Sequence, residues 1–103
     1  MNIRVLAGFA SLTAGFLIVS SAATAYSGQE MEKTAKISMQ QASATALKAR
    51  PGKITDRELE KEGGGSGLRY SFDVKSNGTT YEVGVDAMTG NVLENDLEGK
   101  NPD

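Results

Sequence analysis

The sequence has no cysteine and no histidine. Without cysteine no disulfide can brace the fold, although many small exported domains depend on such bridges. The core, or a partner, must hold the chain together. The two absences also remove the commonest general base and the strongest nucleophile, along with the usual structural zinc ligands. Positive charge is scarce as well: 11 Lys and Arg stand against 13 Asp and Glu, a formal net charge of −2. Nucleic-acid binding calls for a clustered basic footprint, and an electrostatic role at a lipid surface calls for clustered Lys and Arg; neither cluster is there. Long hydrophobic runs are missing too. The mostly apolar stretch Val5 to Val19 is 15 residues long and is broken by Gly8, Ser11, Thr13 and Gly15. A membrane-spanning helix needs about 20 predominantly apolar residues.

What that stretch does have is flanks. Arg4 precedes it, and the small residues Ser20-Ser21-Ala22-Ala23-Thr24-Ala25 follow it. Positive start, apolar middle and an A-x-A end are the layout of a secretory signal peptide, with the cut expected between Ala25 and Tyr26. The competing reading is an uncleaved anchor, since counting through Ala25 nearly reaches a spanning length. Cleavage of residues 1–25 is the reading adopted, and it makes the protein an exported one, in the periplasm or outside the cell, with no membrane contact after the cut. The remaining chain carries ten basic and 13 acidic residues, a net charge of −3. At 103 residues the sequence has room for a single domain. A core this small rarely supplies more than about 3–5 kcal/mol, so modest stability is expected, which self-association would raise.

Residues 26–36 are polar and aperiodic and read as a flexible lead-in. Ser38-Met39-Gln40-Gln41 is a capping-box sequence, with Ile37 placed to staple onto Ala42. Met39, Ala42, Ala46 and Ala49 then share one helical face, with Leu47 at its border, and Pro51-Gly52 ends the helix. Between Lys53 and Glu62 the only apolar residues are Ile54 and Leu59, five apart, which predicts an edge strand with either a bulge or a slipped register. Gly63-Gly64-Gly65-Ser66-Gly67 reads as a flexible connection. It is not a phosphate loop, because no Lys-Ser/Thr pair follows the glycines.

Leu68, Tyr70, Phe72 and Val74 alternate with Arg69, Ser71, Asp73 and Lys75, the period of a half-buried strand. Asn77-Gly78 is the strongest short hairpin signal, and Tyr81, Val83 and Val85 alternate on the return. A two-residue turn there sets Val74 opposite Tyr81, Phe72 opposite Val83 and Tyr70 opposite Val85, every apolar side chain meeting another. The opposite face pairs Arg69 with Asp86, Ser71 with Gly84, Asp73 with Glu82 and Lys75 with Thr80. Turn chemistry and side-chain pattern thus select one register independently. Gly90 marks a second turn, Val92-Leu93 a short last strand, and residues 94–103 read as a flexible acidic tail. The predicted fold is α+β: one N-terminal helix packed on a four-stranded antiparallel meander over residues 37–93.

At this level of detail the chain resembles the PepSY family. The residues that carry the resemblance are Ile37, Ala42, Ala46, Leu47, Pro51-Gly52, Ile54, Tyr70, Phe72, Val74, Tyr81 and Val83, followed by the run Val85-Asp86-Ala87-Met88-Thr89-Gly90-Asn91-Val92. The resemblance implies a non-catalytic module found in propeptides of secreted metallopeptidases and in small exported proteins, proposed to inhibit or regulate peptidases. It implies no catalytic residue, and Asp86, Thr89 and Gly90 read as turn-formers. As no peptidase domain follows in this chain, action in trans on an exported peptidase or another envelope protein is expected. The alternative is a structural, self-associating envelope protein without a peptidase partner.

Side chains that could do chemistry have plainer readings. Asp73 and Glu82 face each other, but on a wet face they only repel in water. With Asn77 they could hold Ca²⁺ only loosely, since that ion takes 6–8 oxygen ligands and no EF-hand spacing is present. Tyr70 and Tyr81 could stack on a ligand, but their register assigns them to the core. Arg69 and Asp86 read as a surface ion pair worth about 0–1 kcal/mol. No catalytic, cofactor-binding or metal-ligating residue is therefore assigned, no cofactor is called for, and no enzymatic activity is expected.

Overall fold

The computed structural model describes residues 25–99. The expected signal peptide, but for Ala25, lies outside the described residues, as does the end of the expected tail from Lys100. Helix α1 spans Met39–Ala49. Four strands follow, β1 (Lys53–Lys61), β2 (Leu68–Ser76), β3 (Thr79–Asp86) and β4 (Val92–Leu97). They form one antiparallel sheet in the order β1-β2-β3-β4. The helix lies on one face of this sheet.

Helix α1 begins where its side chains satisfy the first free amides. Ser38 Oγ accepts from the Gln41 amide at 3.1 Å, and Gln41 Oε1 accepts from the Ser38 amide at 2.9 Å, the reciprocal pair of a capping box. Met39, Ala42 and Ala46 are buried against the sheet. Alanine at two of these three positions lets the helix axis come close to the strands, so little helix surface is needed to seal the core. Leu59, Tyr70, Phe72, Val74, Val83, Val85 and Ala87 complete that core. Tyr70 is wholly buried, and its hydroxyl donates to the Ile37 carbonyl at 2.6 Å. Tyr81 is half-buried and lies under the Arg50 guanidinium, 3.8 Å from its ring centroid.

The β2–β3 register is the one the alternation predicts, from Arg69 opposite Asp86 to Ser76 opposite Thr79. Asn77 and Gly78 at the turn have φ of 53° and 79°, the doubly positive pair of a type I′ turn, whose twist matches that of the strands. The irregularity expected in β1 is a shift in pairing between Ile54 and Asp56, which puts Thr55 at a bulge and lets both Ile54 and Leu59 reach the core side.

Two expectations are corrected. Residues 26–36, read as a flexible lead-in, are built into the fold: Gln29–Thr34 form a 3₁₀ helix, and Tyr26, Met31 and Ala35 pack against the core. The backbone ties them down. Ser27 bridges Glu58, with the Leu59 amide donating to the Ser27 carbonyl at 2.9 Å, and the Lys36 and Ile37 amides both donate to the Ala87 carbonyl at 3.0 Å. Glu32 fastens the segment to the helix, one carboxylate oxygen accepting from the Met39 amide at 3.2 Å and the other from the Tyr26 hydroxyl. A carboxylate at that place also complements the positive end of the helix dipole. The acidic tail is likewise shorter than expected, because β4 runs on through Leu97. A shift in pairing between Gly84 and Val85 breaks the alternation of the Val92–Leu97 sequence, which is why its period announces Val92-Leu93 and not the rest of the strand.

Candidate functional site

The helix covers one face of the sheet, and among the described residues no helix lies on the other. Strand alternation sorts the side chains between them. Asp56, Glu58 and Glu60 of β1, Asp73 of β2, Glu82 of β3, and Glu94 and Asp96 of β4 all project to the uncovered face, as the pairings Asp56–Asp73, Asp73–Glu82, Glu82–Asp96 and Gly84–Glu94 require. All of them but Asp96 line a cleft of about 210 Å³ across the strands. Asp73 and Glu82 are opposite each other as expected, but they are two members of a much larger carboxylate surface.

Crowding and partial burial disturb the protonation of this surface. Burial raises the Glu58 carboxyl above its ordinary value, and the neighbouring charges of Glu60, Asp56 and Asp73 raise it further, as does a hydrogen bond with Glu60. Burial also raises Asp73, assisted by Glu98 and Asp56. Glu60 is held by the Ser71 hydroxyl at 2.6 Å. No group of three or more His, Cys, Asp or Glu suited to a metal ion occurs among the described residues, and Asn77, in the hairpin turn, does not line the cleft.

At one end of this face Arg69 and Asp86 correct a further expectation. They are opposite one another in register, yet they are not a surface ion pair: only 7 % of Arg69 and 1 % of Asp86 is exposed. Arg69 instead crosses the sheet. Its Nη1 lies 3.2 Å from Glu94 Oε1 and 3.9 Å from Glu62 Oε2, and its Nη2 donates to the Gly63 carbonyl at 3.2 Å. Gly84 makes the crossing feasible, since a Cβ there would sit 3.1 Å from Arg69 Cδ. Asp86 turns towards two loops. Ser66 donates to it from its amide at 2.7 Å and its hydroxyl at 2.8 Å; the Met88 and Thr89 amides donate at 2.8 and 3.1 Å. Burial alone would raise the Asp86 carboxyl, but these four donors outweigh it and hold the group down at about 2. Asp86 does form the turn, as expected of it, and it also pins the glycine-rich connection that reads as flexible.

The order and spacing of these elements decide the family. The family model described as PepSY, peptidase propeptide and YPEB domain, matches residues 36–96. The chain belongs to the PepSY family. Neither a curated protein nor a solved structure matches it. The match takes in α1 and nearly all of the four strands, so the acidic face, Arg69 and Asp86 all belong to the PepSY domain itself. The 3₁₀ helix Gln29–Thr34 lies before it. No helix among the described residues is long and apolar enough to cross a membrane. Sequence reading placed Tyr70, Phe72, Val74, Val83 and Val85 correctly in the core of the PepSY domain. It missed Glu32 and Ser66, whose partners lie 7 and 20 residues away. Serine among glycines signals a loop, and nothing local says that the loop folds onto a carboxylate.

Proposed function

We propose that this PepSY domain is an exported, non-catalytic binding module that regulates a peptidase by docking on it. The family match carries the reading, since the family's description names peptidase propeptides alongside YPEB domains. The site geometry supports it: the uncovered sheet face offers carboxylates held in rows by the strands, with no histidine or cysteine in the chain to act as base or nucleophile beside them. Export is supported by the sequence before Tyr26, and the expected cut would keep Tyr26, which packs against the core, in the mature chain. The mass of the chain isolated from cells tests that point, and a start at Tyr26 is expected.

The function is tested by adding the isolated chain to the exported peptidases of its host and following their turnover of a protein substrate. A saturable change in at least one activity is expected. Unchanged turnover across every peptidase fraction contradicts the reading. The self-associating alternative predicts instead a mass that grows with concentration in light scattering.

A further inference from the structure

The sheet has two edges, and they differ. At β1 the Ser27 bridge to Glu58 already occupies part of the edge. At β4, among the described residues, no strand pairs with the outer side. The Glu98 amide donates to the Thr80 carbonyl at 3.0 Å, and this sets the phase of the ladder. Successive residues of a strand aim their backbone groups to opposite sides, so Asp96 bonds towards β3 while the N–H and C=O groups of Asn95 and Leu97 aim outward. Such an edge is a template for another strand. Its two faces are chemically distinct. On the helix side Val92 and Leu97 are 42 % and 46 % exposed, the exposed large hydrophobics of the described chain. On the other side stand Glu94, Asp96 and Glu98.

We propose that the β4 edge accepts an extended basic segment of a partner protein as a fifth strand, its apolar residues prolonging the row of Val92 and Leu97 and its alternate lysines or arginines lying beside Glu94, Asp96 and Glu98. This deepens the peptidase-docking reading and rests on it only for who the partner is. Charge selects the occupant. The acidic face continues inward from the edge through Glu82 and Asp73, so a basic strand meets attraction beyond its immediate neighbours. A second copy of the chain fits badly: β4 against β4 would bring Glu94, Asp96 and Glu98 of one chain alongside those of the other, and like charges across a strand pair are destabilising.

The probe is a short peptide of alternating valine and lysine, titrated into the isotopically labelled chain as isolated from cells, with an alternating valine–glutamate peptide as control. Amide shifts centred on Asn95 and Leu97 are expected from the lysine peptide alone, with affinity falling about tenfold or more from low to high salt as the charges are screened. The double variant Asp96→Lys/Glu98→Lys, whose fold is checked by its unperturbed β2–β3 amides, should bind the lysine peptide about tenfold more weakly and begin to bind the glutamate peptide. Leu97→Pro removes an outward-facing N–H without breaking a bond to β3, which an edge strand tolerates, and should abolish the shifts. Shifts elsewhere, equal binding of both peptides, or no binding overturns the proposal, as does self-pairing, seen as concentration-dependent shifts at Asn95 and Leu97 without peptide. A chain that alters peptidase turnover equally well with Asp96→Lys/Glu98→Lys overturns the edge proposal and leaves the docking reading intact. Peptide bound at the edge with no peptidase responding upholds the edge and removes that reading.

Discussion

Buried carboxylates survive when their lone pairs are met by donors, and Asp86 meets this condition with four hydrogen bonds drawn from two separate loops. Hydrogen bonds to a charged group contribute roughly 1.5–3 kcal/mol each, net of the bonds to water they replace. Asp86→Ala strands those donors and should cost about 3 kcal/mol in a denaturant titration, while also opening the connection at residues 63–67 to proteolysis. Arg69 has a different task. Its partners Glu62 and Glu94 are partly exposed, so Arg69→Met should cost less in stability, and its main effect should be to leave the face more negative. Strand alternation puts both residues on the uncovered face, correctly. It cannot show that a loop rich in glycine folds over one of them and that the other lies flat across Gly84, because neither covering contact has a local sequence period.

At the scale of elements, legibility follows the range of the forces that fix each one. The α1 start is set within four residues by Ser38 and Gln41, and the β2–β3 hairpin is set by Asn77-Gly78 and alternation on either side; both can be read directly. Ser38→Ala should destabilise the domain by about 1 kcal/mol through the lost cap. Gly78→Val, which forces a branched side chain into a left-handed conformation with φ of 79°, should cost about 1–2 kcal/mol, measured as a shift in the denaturation midpoint. The 3₁₀ segment is fixed by distant partners, the Leu59 amide and the amide at the start of α1, so its polar sequence reads as loose. The last strand is legible at Val92-Leu93, but its run on to Leu97 is hidden for a related reason. Its bulge disrupts the period, and its charge, which suits one face of an edge strand, looks in one dimension like that of a solvated tail.

Across the whole molecule, two sets of carboxyls pull stability in opposite directions with pH. Glu58 and Asp73 are raised above their ordinary values of 4.5 and 3.8. The folded chain therefore binds protons there more tightly than the unfolded chain, and stability falls as the pH rises through that window. Asp86 is lowered from 3.8 to about 2; its contribution is present above 3.8 and is lost as the pH falls towards 2. The melting temperature should accordingly rise as the pH is lowered from neutral to about 4.5, then drop below about 3.8, a profile that calorimetry can follow. Added salt at neutral pH should also raise the melting temperature by screening the acidic face.

The uncovered acidic face is the docking surface proposed for the peptidase. The most direct measurement is the rate of a host exported peptidase against increasing concentrations of the isolated chain, at low and at high salt. A saturable change in rate is expected, with a midpoint that moves to higher concentration as salt is added. A rate that stays constant at every concentration and in both salts would contradict this docking.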